Sequence, residues 1–326
     1  MAPGMRIFGI TALLGLFLLP GCPGLDDSCG AGHVNALSYT FHGCTSSDCS
    51  VADNAIAAGS TAQIDIAMGS DAVSIARVSS SDPSIATFVG SPVDETGNLA
   101  VAVTAGQPGI TQLQLIDLHD GVAGYVTVTV TAAARLDSLI GSPGSDGTIG
   151  VAGFELVSFS VTPRDANGSA LIGTTALTST DGIAVVPSGD GVYTLLADAP
   201  GSGSVSGSLP GGPSFAITLR VDEPTAIVAL AAVAAPPALA SDGTDRLVAV
   251  TATPSDALGP VYGLGCGWTV ADPSVTIVEP SADTSSQPSL MLPAGVVTTF
   301  RLPAGLTQTT ATCSINGVST QVTLGQ

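Results

Sequence analysis

A short acidic turn recurs three times along this chain and limits the fold more than any other feature. Val78-Ser79-Ser80-Ser81-Asp82-Pro83-Ser84-Ile85-Ala86 aligns with Leu177-Thr178-Ser179-Thr180-Asp181-Gly182-Ile183-Ala184-Val185 and with Trp268-Thr269-Val270-Ala271-Asp272-Pro273-Ser274-Val275-Thr276. In each copy a large apolar residue stands four positions before an Asp that opens a Pro or Gly turn. Asp at the first turn position hydrogen-bonds backbone amides ahead of it, and Pro or Gly supplies the dihedral the turn needs. The apolar residue before it then faces a core. The three Asp positions are 99 and 91 residues apart, a spacing that suits one small β-sandwich per copy.

The sequence between the turns supports strands. Period-two alternation runs through Leu99–Val103, Gln112–Ile116 and Tyr125–Val130, then Phe154–Val161, Val192–Leu196 and Phe215–Val221, then Arg246–Ala252 and Thr309–Ile315. Asn316-Gly317 predicts a tight hairpin into Val318–Val322. Residues 226–240 are rich in Ala, which suits a helix by propensity, but Pro236-Pro237 interrupts them and favours an edge strand with a bend. The connections at Thr131–Arg135 and Val221–Thr225 are short, which predicts a semi-rigid array.

The first copy resembles a bacterial immunoglobulin-like domain of the group 2 type, as found in intimin and invasin stalks. The resemblance rests on Ser79–Thr87, Gly97–Val103 and the turn Gly106-Gln107-Pro108-Gly109-Ile110-Thr111, and it covers roughly residues 51–131. The family's Trp before the Ser run is Val78 here and returns as Trp268 in the third copy. The resemblance implies an all-β chain of about three tandem immunoglobulin-like β-sandwiches. The expected division is a signal peptide at 1–21, a Cys-rich tether at 22–50, and sandwiches at 51–131, 135–222 and 225–326.

At the N-terminus, Arg6 precedes an apolar run from Ile7 to Leu19, followed by Pro20, Gly21 and Cys22. This run is shorter than the ~20 residues of a spanning helix and reads as a cleaved export signal. Leu19-Pro20-Gly21-Cys22 resembles the bacterial lipobox, which implies lipid attachment at Cys22 and a membrane partner through that anchor. Pro23, rather than Asp, follows the cysteine; in the enteric sorting scheme this resembles outer-membrane lipoproteins. The expected location is therefore the cell envelope, at the outer membrane or cell surface. The competing reading is an ordinary signal peptide with Cys22 in a disulfide.

Export makes pairing the default for the six cysteines. Cys266 and Cys313 bracket a 48-residue segment, and a bond between them removes about 4 kcal/mol of unfolded-chain entropy on the loop model. Cys29, Cys44 and Cys49 are odd in number, so either one thiol stays free or Cys22 completes two pairs. His33 and His42 add nitrogen ligands near these cysteines, but the spacing matches no zinc finger or ribbon, and a disulfide loop explains it. Ca²⁺ held by Asp137, Asp222, Glu223, Asp242 and Asp245 is a further alternative without an Asp-x-Asp-x-Asp-Gly loop behind it. The expectation is no metal and no cofactor.

Inventory argues against catalysis. The histidines are His33, His42 and His119, and no Gly-x-Ser-x-Gly elbow accompanies them. All seven basic residues are Arg, against 26 acidic residues, for a net charge of −19. No Lys exists for a phosphate loop, and no cationic cluster exists for nucleic acid. Five Asp-Gly pairs, at Asp120, Asp146, Asp181, Asp190 and Asp242, assign much of the acidic excess to turns. The expected role is non-catalytic adhesion or binding of a protein or carbohydrate, by loop tips or strand addition. The alternatives are a passive envelope stalk or an accessory to an enzyme on another chain. An exposed apolar patch distinguishes binding from a stalk, which needs none.

Overall fold

The computed structural model describes residues 33–34, 37–42, 49–68, 75–91, 98–189, 191–240, 243–278 and 296–325. The chain is all-β, with no α-helix among the described residues. Six sheets pair into three β-sandwiches around separate hydrophobic clusters.

The first sandwich contains β1 (His33–Val34), β2 (Leu37–Phe41), β3 (Ala55–Ala57), β4 (Thr61–Met68), β5 (Ile75–Ser80), β6 (Ala86–Gly90), β7 (Asn98–Ala105), β8 (Gly109–Asp117) and β9 (Val122–Thr131). The order β1-β2-β4-β7-β6 faces β3-β9-β8-β5. Alternation drives this pairing: the inward residues Ile64, Val101, Leu113 and Val128 are buried while their chain neighbours are half-buried or exposed. Leu37–Phe41 lies within the expected tether at 22–50, yet it is built into this sandwich. β2 pairs with β4, and Tyr39 and Phe41 are buried in the core.

The second sandwich contains β10 (Arg135–Leu139), β11 (Ile149–Ala152), β12 (Leu156–Arg164), β13 (Leu177–Ser179), β14 (Ile183–Gly189), β15 (Val192–Ala197), β16 (Gly201–Ser208) and β17 (Ser214–Asp222). The order β10-β12-β15-β14 faces β13-β16-β17-β11. The third contains β18 (Ala229–Ala234), β19 (Ala238–Leu239), β20 (Arg246–Ser255), β22 (Gly267–Val270), β23 (Thr276–Val278), β24 (Val296–Leu302), β25 (Thr309–Ile315) and β26 (Val318–Leu324), while β21 (Val261–Tyr262), between β20 and β22 in the chain, joins the second sandwich's sheet beside β11. Here β18-β20-β24-β23 faces β22-β25-β26. The Ala-rich stretch forms edge strand β18 and short strand β19, both on β20, with Pro236-Pro237 between them. At the β25–β26 hairpin Asn316 and Gly317 have φ of 46° and 86°, matching the twist of paired strands.

The repeated turn occupies one place in each sandwich. Val78, Leu177 and Trp268 lie on β5, β13 and β22, which pair with β8, β16 and β25, and each side chain is half-buried against its core. Asp82 Oδ1 accepts from Ser84 N at 3.0 Å and Asp272 Oδ1 from Ser274 N at 2.9 Å. The Ser84 and Ser274 hydroxyls are the first cause of a carboxylate pKa below the usual range. Asp181 makes no such bond; Gly182 at φ 82° turns the chain, and Ile183 N donates to Thr180 O instead.

Neighbouring sandwiches are joined by backbone pairing and not only by short connections. Residue Ile172, after β12, bridges in parallel to Ile56 on β3: Ala57 N donates to Ile172 O at 2.8 Å and Ile172 N to Ala55 O at 2.9 Å. Thr61 and Thr174 exchange two further bonds. At the next junction β21, after β20, adds in parallel to β11, pairing Gly150 with Val261 and Val151 with Tyr262. In both cases the segment after the sandwich's long second strand reaches back onto the preceding sandwich. Close approach is required there: a Cβ on Gly141, at φ 145°, would overlap the Tyr262 ring, and one on Gly173, at φ 144°, would overlap Ser60. Ala57 and Tyr262 accordingly belong to the second cluster, and Ala152, Ile227, Val261, Leu264 and Ile315 form a fourth at the second junction.

Two buried tyrosines separate structural from idle hydroxyls. Tyr193 Oη accepts from Thr175 N at 2.8 Å and donates to Thr175 O at 2.7 Å, anchoring the segment that reaches the first sandwich. Tyr39 Oη is buried without a partner, and desolvation pushes its pKa up to about 12. Tyr193→Phe is expected to lower stability by about 1–3 kcal/mol, and Tyr39→Phe to be neutral or stabilising, in urea unfolding monitored by fluorescence.

Candidate functional site

Cys266 and Cys313 are disulfide-bonded, with Cα atoms 5.4 Å apart. Cys313 sits opposite Trp268 across β22 and β25. The indole packs edge-on to Phe300, with centroids 5.2 Å apart, and donates to Thr298 Oγ1 at 3.0 Å. The bond therefore reinforces the sandwich with the fewest buried apolar residues among those described. Cys49 is buried and disulfide-bonded. Cys22, the expected lipidation site, lies outside the described residues, as do Cys29, Cys44 and Asp242.

The other residues singled out by type are engaged separately. His42 Nδ1 is 2.7 Å from Asp65 Oδ2 on the open surface. His119 is exposed in a turn where Asp117 Oδ1 accepts from Gly121 N at 2.9 Å and His119 N at 2.7 Å; these bonds hold the Asp117 carboxyl below its ordinary range. Asp137 lies between Arg135 and Arg164, at 2.9 and 2.5 Å. Asp245 pairs with Arg301 at 2.7 Å, and Glu223 accepts from Thr225 Oγ1 at 3.2 Å. These acids thus neutralise arginines and hold turns at different places. Among the described residues no group of three His, Cys, Asp or Glu is arranged to hold a metal ion.

Arg220 is the residue that sequence reasoning missed. Its side chain is only 13% exposed and donates from Nε to Asp222 at 3.0 Å and from Nη2 to Asp256 at 3.0 Å, with the partners 11% and 9% exposed. Its Nη1 reaches Thr148 Oγ1 at 2.9 Å and lies 3.4 Å from Asp146. Asp256 belongs to the β20–β21 connection and also accepts from Leu258 N and Gly259 N, each at 2.8 Å. One cation thus ties β17 of the second sandwich to the third. Desolvation pushes the Asp222 carboxyl above its usual range even against the Arg220 charge. The sequence signal is an Arg inside a mostly apolar strand, Ser214–Asp222.

The outward face of β10-β12-β15-β14 carries exposed apolar side chains. Leu156 is 68% exposed and pairs with half-buried Leu196, which pairs in turn with exposed Ala184 on β14. Val186, opposite Thr194, is also exposed, as is Leu139, opposite Ser160. Phe154 leads into this face from the turn before β12; its N donates to Ala197 O at 2.8 Å and its side chain is 67% exposed. Phe154 has φ 65°. The other described non-Gly residues with positive φ, Asp120 and Asn316, are turn-forming types that tolerate this region. For a bulky residue the left-handed conformation costs ~1–2 kcal/mol, spent here to hold an aromatic ring in water.

No protein-family model matches the chain, and no curated relative matches it. Among solved structures it is similar to domains 4–9 of the surface layer protein SbsC, at 16% identity and a TM-score of 0.32, over 88% of this chain and 46% of that one. It is similar to FdeC, an Escherichia coli adhesin, at 17% identity and a TM-score of 0.23, over 90% and 98% of the two chains. It is also similar to invasin, a bacterial integrin-binding protein, at 16% identity and a TM-score of 0.23, over 89% and 59%. The chain spans less than half the length of the SbsC chain it matches. At these identities and TM-scores no role for any residue carries over.

Arg220→Leu is expected to cost about 3–5 kcal/mol, because Asp222 and Asp256 lose their counter-charge in a largely buried place. Calorimetry should then show the second and third sandwiches melting apart, and adding Asp222→Asn and Asp256→Asn should recover part of the loss. Replacing Cys266 and Cys313 by Ser should destabilise the third sandwich by about 2–4 kcal/mol, read as a lower urea midpoint that reductant no longer changes.

Proposed function

We propose that this chain is an exported, lipid-anchored, non-catalytic protein of the bacterial cell envelope, at the outer membrane or cell surface. Its three sandwiches, the first taking in Leu37–Phe41 and running to about residue 131, the others at about 135–222 and 225–326, act in surface adhesion or binding of a protein or carbohydrate. Export and the anchor are supported by the run Ile7–Leu19 ending in Leu19-Pro20-Gly21-Cys22. With acyl chains on Cys22, each buried methylene contributes ~0.8 kcal/mol to membrane attachment, so more than one chain holds stably.

The observation that carries the binding role is the exposed apolar face at Phe154 and Leu156. A stalk has no use for a strained aromatic held in solvent. The strand pairing between sandwiches supports the same role from another side, because a binding face keeps its orientation only if its neighbours do not swing. A spacer function is compatible with that pairing and leaves Phe154 without a reason.

Mass spectrometry of the mature N-terminus tests the anchor: diacyl or triacyl mass on Cys22 is expected. An unacylated chain released into the medium would remove the anchored reading.

A further inference from the structure

We propose that the Phe154–Leu156 end of the β10-β12-β15-β14 face docks a cationic, apolar segment of a partner polypeptide. This rests on the binding role above and names the chemistry of its ligand.

Charge identifies the partner. Of the carboxylates among the described residues, Asp53, Glu155, Asp181 and Asp198 have side chains that accept no hydrogen bond and join no ion pair. Three of these four, Glu155, Asp181 and Asp198, are exposed at one end of this sheet. Backbone bonds fix them there: Phe154 N donates to Ala197 O, and Asp198 N donates to Gly182 O. Every described arginine is already committed: Arg77 to Asp120, Arg135 and Arg164 to Asp137, Arg220 to its aspartates, Arg301 to Asp245, and Arg246 to the carbonyls of Leu306 and Thr307. Among the described residues no arginine is left to neutralise these three carboxylates. The surface offered is therefore Phe154, Leu156, Leu196 and Ala184 with an acidic rim.

That pattern excludes other occupants. Anionic lipid and nucleic acid would meet like charge. A second copy packed face to face would bring three unpaired carboxylates against three more. Strand addition along the neighbouring edge is disfavoured past Val186, because β14 there carries Pro187 and a register shift between Pro187 and Gly189. Recognition here is by the face of the sheet, through apolar contact inside a rim that selects Lys or Arg.

The test uses the purified full chain and a labelled peptide of alternating Leu and Lys, with Leu-Glu and Ser-Lys peptides as controls, followed by fluorescence anisotropy. Single-site binding of the Leu-Lys peptide alone is expected. Phe154→Gly and Leu156→Ser should each weaken it about tenfold or more. Combined Glu155→Gln, Asp181→Asn and Asp198→Asn should weaken it and remove most of its salt dependence. Glycine suits φ 65°, so Phe154→Gly should melt no lower than the parent chain. A lower melting temperature would make Phe154 a packing residue and overturn the proposal. So would Leu-Lys binding unchanged by these substitutions, equal binding of the Leu-Glu peptide, or no binding at all. A Phe154-dependent dimer in sedimentation without peptide would assign the face to a second copy and likewise overturn it. The titration is made in solution, so an unacylated Cys22 would sink the anchored reading while leaving this result standing.

Discussion

The structure depends on a backbone interaction made twice. An extended segment following the long second strand of one sandwich hydrogen-bonds onto the short parallel strand of the sandwich before it, Ile172 onto Ile56 and Val261–Tyr262 onto Gly150–Val151. Backbone groups withdrawn from water must find partners, and at these junctions they find them in the neighbouring sandwich. Small residues make the approach possible, buried tyrosine hydroxyls hold the segments in place, and apolar side chains fill the space between. Three cores that would each be modest alone are thereby linked without merging.

Electrostatics follow the same economy. A chain with seven cations and 26 acids cannot pair its charges one to one, and many of the described carboxylates are used locally instead, on turn amides and hydroxyls. Some described arginines, such as Arg77, only pair across the surface, while others are drawn into the fold. Arg220 is the extreme case, largely buried with carboxylates from two sandwiches around it. Among the described residues the carboxylates left over are informative because they are so few. Their gathering beside an exposed strained phenylalanine gives the second sandwich a chemically defined end, and the paired junctions hold that end in a set orientation.

Much of the architecture was legible in the order of residues. Alternation predicted the strands because a sheet with one face in a core must alternate, and Asp-Pro-Ser at 82 and 272 predicted a turn whose hydrogen bonds are local. The bond between Cys266 and Cys313 was legible from spacing, since both lie in the last repeat. Other features had no such signal. Leu37–Phe41 lies between cysteines along the chain, although its alternation belongs to the first core. Val261–Tyr262 is too short to announce a strand, and its partner lies about a hundred residues earlier.

The sequence by itself determined the all-β class, the threefold repetition and the placement of most turns. Each of these follows from contacts between residues close along the chain, or from a periodicity that every strand carries internally. Only the tertiary structure decided how the sandwiches join, which carboxylates stay unpaired, and that Phe154 faces water in a left-handed conformation. Those outcomes depend on which distant backbone and side-chain groups meet. Neither hydrophobic pattern nor local turn chemistry carries that information.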